Sequence, residues 1–147
     1  MKREIWFDMD GTIANFYGVS GWLEYLKAED TTPYEIAKPL INMNSLARVL
    51  NRLSRNGYTI NIVSWGAKGA TAEFNEAIKI AKIDWLNSHL ASVKFDRIEI
   101  VPYGTYKEVV ANHSSGLLFD DEEPNRRYWS GKAYDVDAII EILKGLV

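Results

Sequence analysis

Short, largely apolar runs alternate along this chain with longer stretches in which apolar residues recur every three or four positions. Residues 4–7 form the first run, rich in β-branched and aromatic side chains, and read as a buried strand. Residues 58–63, 97–101, 116–119 and 132–136 read the same way. Leu46, Val49, Leu50 and Leu53 share one face of a helix that Asn44-Ser45 would cap and Asn56-Gly57 would end. Phe74, Ile78, Ala81, Trp85 and Leu86 mark a longer helix over 70–90, and 137–146 reads as a closing helix. Strands alternating with helices predict an α/β fold, a Rossmann-like, mostly parallel sheet flanked by helices.

One stretch breaks the alternation. Residues 15–43 are irregular, with aromatics (Phe16, Tyr17, Trp22, Tyr25, Tyr34), two prolines (Pro33, Pro39) and room for one short helix over 21–29. Long non-repetitive connections in compact domains often cover a site, so this stretch is expected to be a small cap inserted after the first strand. The 147 residues suit a single domain spanning 1–147, without internal repeat or linker.

Composition narrows the function more by exclusion than by suggestion. A net charge of −3 provides no extended nucleic-acid surface, although a nucleotide or a strand end could still bind. With no cysteine there is no disulfide, thiolate nucleophile or cysteine-ligated zinc. The first residues reach Asp8 too soon for a secretory signal, and no apolar run is long enough to cross a bilayer. A cytoplasmic protein without membrane partner is expected, and nothing in the pattern fixes its oligomeric state.

In open α/β sheets, ligands bind beyond the carboxyl ends of the strands. The first strand ends in Asp8-Met9-Asp10-Gly11-Thr12, the second in Ser64-Trp65 and the fourth in Asp120-Asp121, with Lys107 on the segment before it. Four carboxylates at one sheet edge repel one another and need a cation to stay ionised. Oxygen-only donors favour a hard ion, and magnesium fits best where a phosphate completes its shell. Asp8, Asp10, Asp120 and Asp121 are therefore candidate metal residues. Gly11 would let the backbone approach a phosphate, and Thr12 extends the same turn. Of Asp8 and Asp10, one can attack phosphorus while the other handles the leaving-group proton.

Phe7-Asp8-Met9-Asp10-Gly11-Thr12 resembles the first motif of the haloacid dehalogenase-like hydrolase superfamily. The resemblance implies that Asp8 is nucleophile and metal ligand. Asp10 would be the general acid/base, its backbone carbonyl also reaching magnesium. Ser64, after Asn61-Ile62-Val63, resembles the phosphate-binding hydroxyl of the second motif. Lys107 resembles the lysine of the third, which neutralises charge in the transition state. Leu117-Leu118-Phe119-Asp120-Asp121 is similar to the fourth, which implies that Asp120 binds the metal and Asp121 binds it through water or orients its shell. The stretch 84–90, with Asn125 and Trp129, is also similar to the 5′(3′)-deoxyribonucleotidase-like branch, from which Asn15 and Thr12-Ile13 depart.

The function expected is magnesium-dependent hydrolysis of a phosphate monoester through an aspartyl-phosphate. The substrate would be small and phosphorylated, with a nucleoside monophosphate as the first expectation and Trp65 and Phe16 stacking on base or sugar. The alternatives are a phosphatase for nucleic-acid ends or other bulky substrates, and a metal-binding regulatory module without turnover. Plainer readings stand beside these. Asp-Gly is common turn chemistry, 120–123 could be a solvated acidic loop, and Lys68 and Lys94 compete with Lys107.

Overall fold

The computed structural model describes residues 2–147. Five strands, β1 (Glu4–Phe7), β2 (Thr59–Trp65), β3 (Arg97–Val101), β4 (Leu117–Phe119) and β5 (Lys132–Tyr134), form one sheet in the order β3-β2-β1-β4-β5. Every neighbouring pair is parallel. The described helices are α1 (Trp22–Lys27), α2 (Thr32–Ile36), α3 (Met43–Arg55), α4 (Ala72–His89), α5 (Lys107–Val110), α6 (Glu123–Tyr128) and α7 (Ile139–Leu146). This is the Rossmann-like α/β architecture that the alternating pattern predicts.

The register explains why the central strands are apolar on both sides. Ile5 lies beside Ile60 and Leu117, and Phe7 beside Ile62 and Phe119, so these side chains form rows on one face. Leu46, Leu50 and Leu53 of α3, Trp85 and Leu86 of α4, and Ile139 and Leu143 of α7 close over that face. Trp6, Val63 and Leu118 point the other way and pack with Ala111 and Trp129. A parallel sheet covered on both faces needs this double burial.

The ends of elements differ from the pattern-based expectation. Asn42, not Asn44-Ser45, caps α3, its side-chain oxygen accepting from the Ser45 N–H at 2.9 Å. Thr71 caps α4 by accepting from the Phe74 N–H at 3.1 Å. β2 runs on to Trp65, and β5 stops at Tyr134 where Asp135 turns the chain into a 3-10 turn, Val136–Ala138. The four residues of α5 and the six of α6 are too short to declare a period.

Between β1 and α3 the chain makes an excursion containing a 3-10 turn (Phe16–Gly18), α1 and α2. Its two ends are fastened together, the Asn15 N–H donating to the Lys38 carbonyl at 2.7 Å and the Leu40 N–H to that of Ile13 at 2.8 Å. Phe16 and Tyr34 seat it on Phe74, Ile78 and Ala81 of α4. At its far side Glu29, with φ of 53°, accepts from both the N–H and the hydroxyl of Thr71, at 3.1 and 2.9 Å. Among the described residues, no helix is long and apolar enough to cross a membrane.

At the base of the sheet three main chains nearly touch. A Cβ on Gly131 would run into the backbone of Ser115 and Gly116, and one on Gly116 into the carbonyl of Glu4. Backbone atoms cannot swing aside as a flexible side chain can. Gly131→Ala is therefore expected to cost about 1–3 kcal/mol, read as a lowered urea midpoint. An unchanged midpoint would show that this end of β5 is not held as described.

Candidate functional site

The sheet order places β1 and β4 side by side, so their ends deliver acids to one point. Lys107, at the start of α5, reaches between them. Its ammonium donates to Asp8 Oδ1 at 2.9 Å and to Asp120 Oδ2 at 2.7 Å. Carboxylate oxygens of Asp8, Asp120 and Asp121 can all lie within 4.8 Å of one another. Asp120 is fully buried and further held by the Glu122 N–H at 2.9 Å and the Asn125 amide at 3.2 Å. Of the competing lysines, Lys68 is exposed at the rim of the cleft and Lys94 is exposed and outside it.

The Asp10 carboxylate stands apart from the three clustered acids. It faces the same cleft but pairs with Lys82, 3.0 Å away and only 1% exposed. Lys82 also donates to the Ser64 hydroxyl and to the Trp65 carbonyl, both at 2.7 Å. Sequence reasoning passed over Lys82. The available signal was its place on the apolar face of α4, four residues after Ile78 and three before Trp85.

Gly11 and Thr12 do different work from that expected. Neither lines the cleft. Thr12 is fully buried, its hydroxyl donating to Asp8 Oδ2 at 3.0 Å and accepting from the Asp121 N–H at 3.2 Å. Gly11, with φ of 79°, lies so close to the Asp121 carboxylate that any Cβ would collide with it. The glycine thus admits a neighbouring acid, and the threonine fixes the separation of Asp8 and Asp121.

Electrostatics divide the four acids. Burial pushes the Asp8 carboxyl up, but Lys107 and Lys82 outweigh it and hold Asp8 below its ordinary value. Burial, then the Asp8 charge, pushes Asp120 up to about 6 in spite of Lys107. Burial and the charges of Asp8, Asp120 and Glu122 push Asp121 up to about 8. Asp10 is also raised, by burial and by Asp8, in spite of the Lys82 charge beside it. Burial alone would lower Lys107, yet its two carboxylate partners drive it above the ordinary lysine range. The site is thus short of positive charge at neutral pH. Oxygen donors that hold protons for want of a cation suit a hard divalent ion.

Above the acids opens a cleft of ≈ 570 Å³. Trp65 and Tyr103, with ring centroids 5.0 Å apart, stand on one wall, and the Trp65 ring N–H donates to the Thr105 carbonyl at 2.8 Å. Tyr17 and Trp22 of the excursion also line it. Phe16 reaches the cleft but is only 2% exposed, because its ring packs on Tyr34 at 4.6 Å. Its position explains the seating of the excursion better than ligand stacking. Exposed Lys27 and Lys68 lie at the rim.

No family model and no curated protein sequence matches this chain. Solved structures do. The D,D-heptose 1,7-bisphosphate phosphatase of B. bronchiseptica, complexed with magnesium and phosphate, superposes with a TM-score of 0.56 at 13% identity, covering 100% of both chains. The D,D-heptose 1,7-bisphosphate phosphatase of Burkholderia thailandensis gives 0.53 at 14% identity, over 89% of this chain and 75% of that one. At such identities the likeness is one of fold alone.

A pH-dependent stability follows from the raised acids. From the ordinary value of 3.8 up to about 6 for Asp120 and about 8 for Asp121, the folded chain keeps protons that the unfolded chain releases. Stability without metal should therefore fall as pH rises through that window. Asp8 acts in the opposite sense, its contribution being lost only as pH falls below 3.8. Magnesium, which replaces the protons, should raise the melting temperature more at pH 8 than at pH 5. A gain in EDTA-controlled melts that is equal at both pH values would exclude metal binding by these acids.

Proposed function

We propose that this protein is a magnesium-dependent phosphate monoester hydrolase working through an aspartyl-phosphate on Asp8. The observation that carries the reading is the buried Lys107 ammonium bridging Asp8 and Asp120, with Asp121 against them, at the ends of two adjacent parallel strands. The fold shared with a phosphatase complexed with magnesium supports it.

Asp8 remains ionised and is oriented through both oxygens, one by Lys107 and one by Thr12. Its carboxylate attacks phosphorus, forming the acyl phosphate as the ester P–O bond breaks. Asp10, whose pKa is raised, gives its proton to the departing oxygen, which leaves as the alcohol. Asp10 then takes a proton from the water that attacks the aspartyl-phosphate, releasing inorganic phosphate and restoring Asp8. Ser64 and Lys107 bind the phosphoryl oxygens. Asp8, Asp120 and Asp121 are the side chains that would hold magnesium, and the Asp10 carbonyl would be a further ligand. Bound there, magnesium offsets the negative charge that builds up on the transferring phosphoryl group.

In this reading the excursion over 15–43 is a small cap within a single domain, and its aromatics face the part of the substrate beyond the phosphate. Trp65, Tyr103 and Tyr17 all line the cleft and suit a planar group, which favours a nucleoside monophosphate. The exposed Lys27 and Lys68 favour a second reading, in which a further phosphate, as on a nucleic-acid end or a sugar bisphosphate, extends past the rim. A regulatory module without turnover is the least supported, because both first-strand acids and their lysines are in place.

Asp8→Asn should fold normally and lose at least about a thousandfold in turnover. Phosphate release should be assayed with nucleoside monophosphates, 5′- and 3′-phosphorylated oligonucleotides and sugar phosphates, with and without magnesium. Activity on oligonucleotides alone would displace the nucleotide reading. An Asp8→Asn protein as active as the parent would reject Asp8 as nucleophile.

A further inference from the structure

We infer that Lys82 is a positioning residue which, without touching the substrate, decides how well the leaving group is protonated. The inference rests on the hydrolase reading above and assigns a part to a residue outside the motifs that suggested it.

An ammonium has three N–H donors and no acceptor. Two of those of Lys82 go to Ser64 Oγ and the Trp65 carbonyl, and its charge lies 3.0 Å from Asp10 Oδ2 in an ion pair. Its stem is buried in α4, and the face of the Tyr34 ring lies 5.2 Å from the charge. Lys82 is absent from the cleft wall, whereas Lys107 is part of it and donates to Asp8 and Asp120. The two buried lysines therefore divide the work. Lys107 faces the cleft where an anion would enter, and Lys82 stands behind Ser64 and Asp10, out of its reach.

What Lys82 fixes is the direction of two other groups. Because Ser64 Oγ accepts from Lys82, its own hydrogen must point elsewhere. No described residue takes that hydrogen, so it is left for the cleft that Ser64 lines. Because Asp10 Oδ2 faces Lys82, Oδ1 is the oxygen free to carry a proton to the ester oxygen. Without Lys82, the Asp10 carboxylate is free to turn towards other partners and the Ser64 hydroxyl to rotate.

The kcat/KM for ester cleavage ends at departure of the alcohol. An alkyl phosphate needs its leaving oxygen protonated at that step, while p-nitrophenyl phosphate does not. Lys82→Met should lower kcat/KM for an alkyl phosphate by about 100-fold or more and for p-nitrophenyl phosphate by less than about 10-fold. Combining Lys82→Met with Asp10→Asn should be no worse on the alkyl ester than Asp10→Asn alone. Lys82→Arg keeps the charge and the fold but not the three-point geometry, and should show the same selective loss if the methionine variant does not fold. Equal losses on both esters, additive losses in the double variant, or an arginine variant indistinguishable from the parent would each overturn the inference. A parent protein inert toward both esters with magnesium would instead overturn the hydrolase reading.

Discussion

Four carboxylates share one rim of the sheet with two buried ammonium groups, and this shortage of positive charge governs the rest of the site. Each acid sits beyond the end of a strand, or in the turn that follows, where burial makes isolated charge expensive. Lys107 keeps Asp8 ionised, and Lys82 keeps Asp10 away from the other three. What remains uncompensated falls on Asp120 and above all on Asp121, whose raised carboxyl holds a proton at neutral pH until something with more charge replaces it. In the proposed hydrolase, metal affinity, proton inventory and nucleophile activation are thus one electrostatic problem with one geometry.

That geometry depends on an all-parallel sheet with β1 at its centre. Crossover connections carry the chain back beneath the sheet each time, so every strand ends at the same rim. The order β3-β2-β1-β4-β5 then puts Asp8 between Ser64 on one side and Asp120 on the other. A slip of one residue in β1 would exchange the Trp6 and Phe7 faces and take Asp8 out of reach of Lys107. The core packing of Ile5 and Phe7 against α3 and α7 is accordingly what keeps the site in register.

Much of this was legible in the chain before any coordinates. An apolar run followed by Asp-x-Asp-Gly, and another followed by Asp-Asp, identify strand ends bearing acids, because burial pattern and polarity change at the same residue. Helix interiors were legible for the same reason, while caps and short helices were not. Asn42 and Thr71 compete with equally good neighbours, and α5 and α6 complete too few turns to show a period. Lys82 is a deeper case. Its spacing placed it on a buried face, but a lysine there can also extend to water along the protein surface. Only the fold brings Asp10 and Ser64 together around it. The turn at Gly11 and Thr12 suggests a ligand anion because such turns often hold one, whereas in the fold Gly11 makes room for the Asp121 carboxyl and Thr12 bonds Asp8 and the Asp121 N–H.

The double hydrogen bond from Thr71 to Glu29 joins the excursion to the first turn of α4, far from the pair of backbone bonds that closes its base. A flap hinged at one edge could swing, but a strap pinned at both edges spans a fixed aperture for as long as the pins hold. Selection among ligands then falls to the shape of a standing doorway rather than to the timing of a moving one.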